Sequence, residues 1–118
     1  MFHVPRQVKI FVALEAVDMR RGFDGLSALV QETLEQDPLS GHLFLFRNRR
    51  RDRIKILFWD GDGYVIYYKL LSRGSFEFPE PSTANSPVVQ IRASELSMLL
   101  DGIELKGRKR RPRYERRC

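Results

Sequence analysis

A single cysteine, Cys118, stands in a chain of 118 residues. One thiol makes no internal disulfide and excludes a zinc cluster built from several cysteines. Histidine is almost as scarce: His3 and His42 are far apart and have no obvious ligand neighbours in sequence. No metal site and no cofactor are expected. No apolar run approaches the roughly 20 residues that cross a bilayer. The start, MFHVPRQVKIF, lacks the basic segment and long apolar stretch of a signal peptide. The expectation is a soluble cytoplasmic protein with no membrane contact.

What is present is a globular composition with a basic bias. Hydrophobic residues make up 42% of the chain, enough for one core in a domain of this length. The excess positive charge is concentrated in two places. Arg47 to Arg53, RNRRRDR, holds five arginines against one aspartate, and Lys106 to Cys118 holds eight Lys or Arg against one glutamate. One internal patch plus one tail fits a polyanion partner, DNA first among them. A solubilising face and tail is the plainer alternative.

The apolar patterning predicts an α+β fold. VKIFVAL, Val8 to Leu14, reads as a buried strand, followed by a helix over Phe23 to Glu35 with an apolar stripe at helical spacing. Asp18 or Asp24 is the expected cap, and Asp37-Pro38 the stop. Strands follow over His42 to Phe46, Ile54 to Trp59 and Tyr64 to Leu71, with Ser75 to Phe78 as a possible fifth. Glu80 to Pro87 reads as an exposed loop, and Val88 to Ile91 pairs with a sheet edge. Ala93 to Asp101 is the second helix, with Ser94 an imperfect cap and Gly102 the terminator. The expected architecture is a small, mostly antiparallel sheet of about four to six strands packed with two main helices. Residues 1–105 form one domain in this reading and 106–118 a basic, flexible tail.

WDGDGYVIYY, residues 59–68, raises a question of chemistry. A calcium loop beginning at Asp60 needs oxygen ligands at positions 1, 3 and 5, a glycine at 6 and an acid at 12. Tyr64, Val65 and Leu71 occupy the last three of those positions. A metal nuclease needs carboxylates that converge, and the strand after the turn has no acid two residues before Lys69. Glu104-Leu105-Lys106 has that spacing but lies where the tail begins. A hairpin turn is the stronger reading, since Asp bonds its own backbone and Gly tolerates positive φ. GFDG, Gly22 to Gly25, lacks the Gly-Lys-Ser/Thr ending of a phosphate loop and reads as a tight helix entry.

The arginine segment is the better candidate for binding. Guanidinium forks match phosphate geometry. Arg47, Arg49, Arg50, Arg51, Arg53 and Lys55 are the expected phosphate contacts, with Arg108, Lys109, Arg110 and Arg111 of the tail adding salt-sensitive affinity. Phe44, Phe46, Phe58, Trp59 and Tyr64 lie near by in sequence and would stack on bases if exposed, although core positions are their commoner fate.

Four runs together resemble one family. They are VDMRRGFDGLSALV (Val17 to Val30), Asp37 to Leu71, RGSFEFP (Arg73 to Pro79) and ELSMLLDGIEL (Glu95 to Leu105). They are similar to TnpB, the Orf2-like accessory protein of bacterial insertion sequences of the sixty-six type, which is unrelated to the RNA-guided nuclease of the same name. The recurrent motif falls on Asp18, Arg20, Gly22, Asp24, Gly25, Lys55, Trp59, Asp60, Gly61, Asp62, Gly63 and Lys69. The chain departs from it after Lys69, where Leu70, Leu71 and Ser72 replace the usual Arg, Leu and acid. It departs again before the last helix, where Arg92 or Ser94 stands in for a capping Thr.

The resemblance implies an accessory of transposition, with the acidic catalytic residues carried by a separate transposase. It supplies no catalytic residues, so the expectation is a non-enzyme that binds nucleic acid. Two alternatives remain at this point. One is an adaptor that binds the transposase or another protein of the element. The other, ranked lowest, is a metal-dependent nuclease using Asp60, Asp62 and Asp24.

Overall fold

Apolar residues fill both faces of the strands, and that dictates how the sheet is covered. The computed structural model describes residues 5, 7–79 and 86–101. In chain order its elements are β1 (Ile10–Ala13), α1 (Phe23–Glu32), β2 (Leu43–Arg47), β3 (Arg53–Trp59), β4 (Tyr64–Leu70), β5 (Val88–Ile91) and α2 (Ala93–Asp101). The five strands form one sheet in the order β4-β3-β2-β1-β5. β1 and β2 run parallel, joined by the crossover through α1, and the other three pairings are antiparallel. The fold is α+β, as expected, with a mostly antiparallel sheet.

Side chains alternate between two cores. Ile10, Val12, Leu43, Leu45, Ile54 and Ile56 pack with Phe76, Leu96 and Leu99 on the α2 side. Phe11, Ala13, Phe44, Phe46 and Leu57 pack with Leu26, Val30 and Leu34 on the α1 side. A strand buried on both faces loses its polar alternation, which is why these segments read as continuous apolar runs. Each fully buried Leu or Ile contributes about 1.5–3 kcal/mol relative to exposure.

α1 begins at Phe23 and α2 spans Ala93–Asp101, as the sequence reading has them, while the end of α1 and the capping groups differ. Gly22 is the N-cap of α1, and no side chain caps it. Asp24 sits in the first turn, where its charge favours the helix dipole. Asp18 instead accepts from the Arg20 backbone N–H, at 2.8 Å. α1 stops at Glu32, three residues before the predicted end, and Glu35 turns left-handed at φ 55°. At α2 the cap is half of a capping box: the Glu95 carboxylate reaches back to accept from Arg92 N–H at 3.0 Å. Gly102 and Ile103 lie outside the described residues, as does most of the loop predicted over Glu80 to Pro87.

Ser75 to Phe78 is not a strand. Its alternation of Phe76 and Phe78 matches the strand template, but its backbone is committed elsewhere. Phe76 N–H donates to Arg51 O at 2.6 Å, and the Phe76 ring, 1% exposed, plugs the α2-side core. The fifth strand is Val88–Ile91, paired antiparallel with β1.

The Asp60–Gly63 stretch is the predicted hairpin turn between β3 and β4. Asp60 N–H donates to Gly63 O at 3.1 Å, and Asp60 Oδ1 accepts from the N–H groups of Asp62 and Gly63 at 3.2 and 3.1 Å. Gly61 holds φ at 111°, with open space where a Cβ would go. Gly61→Ala therefore meets no clash, only backbone strain. It is expected to cost about 1 kcal/mol in a urea denaturation series, with the m-value unchanged.

Candidate nucleic-acid interface

The β2–β3 turn is a rigid display of arginine. Its two polar, non-arginine members close it. Asn48 Nδ2 donates to Asp52 Oδ1 at 2.6 Å, and Asn48 Oδ1 accepts from Arg53 N–H at 3.1 Å. Arg51 N–H donates to Asn48 O at 3.2 Å, and Arg51 adopts a left-handed φ of 59°. From outside, Leu71 N–H donates to Asp52 O at 2.8 Å and Phe76 N–H to Arg51 O. Every one of these bonds uses backbone or the Asn48 and Asp52 side chains. The side chains of Arg49, Arg50 and Arg51 are left in solvent.

Not every cation of this region is displayed. Arg47 is half-buried: Nη2 donates to Leu14 O at 2.6 Å, Nη1 to Asn48 O at 3.3 Å, and the guanidinium sits 5.7 Å from the Phe78 ring centre. Burial first, then the Arg51 charge, pulls its pKa below the usual arginine value. Its position is that of a strut between β1 and the turn. Lys55 is 8% exposed, and its ammonium donates to Met19 O at 2.7 Å and Arg21 O at 2.9 Å. It pins the DMRRG segment across the α1 side of the sheet.

Together these elements make a basic corner. An open cleft of about 510 Å³ lies between the two segments, lined by Ala16, Val17, Asp18 and Met19 on one side and by Asn48, Arg49 and Arg53 on the other. Asp18 is neutralised within it. Its carboxylate takes Arg20 Nη2 at 2.7 Å and Nε at 3.1 and 3.2 Å, and these bonds hold its pKa down to about 2. Arg20 is 92% exposed, so this pair shapes the local charge more than it stabilises the fold. Arg53 donates from Nη1 to Tyr68 Oη at 2.9 Å, and that bond raises its pKa. Arg73 is exposed on the 72–75 segment, which the Leu71 and Phe76 bonds hold against the turn.

The acidic hairpin does not join this corner. Arg53 pairs with Leu70 at one end of the β3–β4 ladder, and Trp59 pairs with Tyr64 at the other. Six strand steps separate Asp60 and Asp62 from the arginine turn by about 20 Å. Asp60 is lowered by the Asp62 backbone N–H bond and then the Asp62 side chain, while Asp62 is raised by its bond to Asp60 and by that neighbouring charge. Among the described residues, no group of three His, Cys, Asp or Glu is arranged to hold a metal.

The remaining motif residues have local partners. Gly25 permits close approach, since a Cβ there would lie 3.2 Å from Arg21 Cβ. Trp59 meets Tyr64 edge-on, with ring centres 5.2 Å apart. Lys69 Nζ donates to Leu100 O at 3.0 Å, which fixes the last turn of α2 beside the arginine end of β4. Arg108, Lys109, Arg110 and Arg111 lie outside the described residues.

Sequence reasoning missed Arg73 and Tyr68 as neighbours of the turn. Of the five aromatics named as stackers if exposed, Phe44 and Phe46 are core at 0% and 1% exposure, their expected commoner fate, while Tyr68, not among the five, is 46% exposed. Two-residue steps along β4 put Tyr68 on the face of Lys55. Only the extent of α1 decides that this face is uncovered there. Leu70, standing where the family pattern has an arginine, is exposed on the same face.

No helix among the described residues is long and apolar enough to cross a membrane. A family model described as "IS66 Orf2 like protein" matches residues 8–110. The chain is 38% identical over 107 residues to the uncharacterized protein y4jC of Sinorhizobium fredii, spanning 91% of this chain and 89% of that one. It is also 38% identical over 99 residues to the uncharacterized protein y4hO of the same organism, spanning 84% of each. No solved structure matches. A match that runs through β1, the arginine turn, the acidic hairpin and α2 shows that this chain belongs to the IS66 Orf2-like family of insertion-sequence proteins.

Proposed function

We propose that this protein is a non-catalytic accessory of transposition that binds DNA through the basic corner. The observation that carries this reading is the closed turn that holds Arg49, Arg50 and Arg51 outward while spending none of their guanidinium groups on the fold. A left-handed backbone at a non-glycine residue costs about 1 kcal/mol, and Arg51 holds one at the tip of that display. Arg53 in the lining and Arg20, paired with Asp18 there, add charge around the same cleft, and exposed Arg73 lies on the segment held against the turn. Arg47 and Lys55 position the display, Arg47 from within the core edge and Lys55 from beneath the DMRRG segment. Phosphate contacts of this kind give affinity and register without reading sequence. The tail cations Arg108, Lys109, Arg110 and Arg111 would add salt-sensitive affinity of the same kind.

A salt titration by gel shift tests the reading. Binding at low salt should fall with a log–log slope of about −4 to −6, one unit of −0.9 or less per phosphate contact. No binding at low salt, or binding indifferent to salt, would sink it.

A second reading, an adaptor for the element's transposase, has one specific support. A smaller hollow of about 280 Å³ lies between α1 and the 15–21 segment, with Leu29, Leu34 and Phe46 in its lining. A transposase pull-down from nuclease-treated lysate separates the two readings. A complex that survives the nuclease favours the adaptor.

A further inference from the structure

We infer that Tyr68 is a stacking platform for an unpaired base, so that the corner takes single-stranded DNA in preference to blunt duplex. The inference rests on the phosphate-binding reading and adds to it the state of the DNA. Tyr68 lies on edge strand β4 and is 46% exposed. Its ring is fixed at two points. Arg53 Nη1 holds the hydroxyl at 2.9 Å, and Lys55 Nζ stands 4.6 Å from the ring centre. Lys55 is itself fixed by the carbonyls of Met19 and Arg21.

An exposed tyrosine usually samples several rotamers and loses that freedom when a ligand lands on it. Here the Arg53 bond and the Lys55 contact favour one rotamer in the folded protein, so a base stacking on the ring meets a surface prepared in part. Lys55 underlies one face, and a base is accommodated on the other. Leu70 is on the same side of β4 and is 54% exposed, extending the apolar shelf by one step. Arg53 and Arg49 line the adjoining cleft, where the phosphates flanking a stacked base would be held.

Stacking of this type is indifferent to base identity, because every base has a π-face. In a blunt duplex those faces are occupied by neighbouring bases. Duplex DNA therefore receives the arginine contacts alone, and a single strand receives both.

Fluorescence anisotropy at fixed salt, with a ~12-nucleotide single strand and the blunt duplex of the same sequence, tests this. The wild-type protein should bind the single strand more tightly. Tyr68→Ala should weaken single-strand binding by about 5- to 100-fold and leave duplex binding within about twofold. Tyr68→Leu, which keeps the apolar bulk of a β-strand residue, should behave like the alanine variant and covers the case in which alanine unfolds the edge. Tyr68→Phe, which loses only the Arg53 bond, should stay within about threefold of wild type. A strand carrying 2-aminopurine should be quenched by wild type and Tyr68→Phe and not by Tyr68→Leu. Equal losses on both DNAs, or a single-strand affinity that Tyr68→Leu leaves intact, would overturn the platform while sparing the phosphate reading. Failure of the wild type to bind either DNA at low salt would overturn both.

Discussion

Replacing Arg49 and Arg50 by Ala and Arg51 by Asn in one variant should weaken DNA binding about 100-fold near ~0.15 M salt. The choice at position 51 follows from its φ of 59°, since Asn tolerates the left-handed region better than Ala. None of the three side chains carries a bond that closes the turn, so the fold should be retained. The turn is held by Asn48, Asp52 and the backbone of its neighbours. Each phosphate that is no longer neutralised makes the salt slope shallower by about 0.9, so the triple variant should be shallower by about 2.7. The loss of affinity should be similar for single strand and duplex, whereas substitution at Tyr68 should separate them. A variant that keeps the wild-type slope would move the binding surface away from this turn.

Lys55→Met should be the most damaging conservative change for stability. Methionine keeps the length and apolar stem of lysine and removes the charge. The carbonyls of Met19 and Arg21 then lose a donor at 2.7 and 2.9 Å, in a site where the lysine is only 8% exposed. Hydrogen bonds to a charged group contribute about 1.5–3 kcal/mol each, and a buried acceptor left alone carries its own desolvation cost. Some of this is recovered if the DMRRG segment lifts to reach water, so the expected loss is about 2–4 kcal/mol. That corresponds to a melting temperature lower by roughly 10 °C for a domain of this size. Hydrogen exchange should show the damage first at residues 19–22, before the strands. Equal protection in that segment would mean that Lys55 is not what holds it down.

How much of this was legible in the residues varies with the physics of each element. β3 and β4 were readable because Ile54 to Trp59 and Tyr64 to Leu71 are rich in strand formers and are separated by Asp-Gly-Asp-Gly, a sequence with few uses besides reversal. The helices were readable from spacing. Their caps were not, because Asp18 is taken by Arg20 and Glu95 acts three residues downstream of the position it caps. Ser75 to Phe78 misled because alternation shows which residues face a core and not which backbone groups find ladder partners. The arginine segment was legible as a charge cluster. Its division into display and strut was not, since Arg47 and Arg49 are the same residue type two positions apart. The bonds of Arg47 to Leu14 and Asn48 and its place over the Phe78 ring separate them. Tyr68 was hidden for a related reason, as it looks from sequence like one more aromatic in a core strand.

The ladder from Arg53 to Trp59 places a cluster of cations at one end of the sheet and the Asp60–Asp62 pair at the other. These two ends contribute a component of electric dipole along the strands. In the field of a polyanion the molecule is turned during approach, cations leading, before any contact forms. Encounters that begin with the acidic hairpin are repelled and must rotate or depart. On the DNA-binding reading proposed above, the hairpin that marks the family in sequence would face away from the nucleic acid.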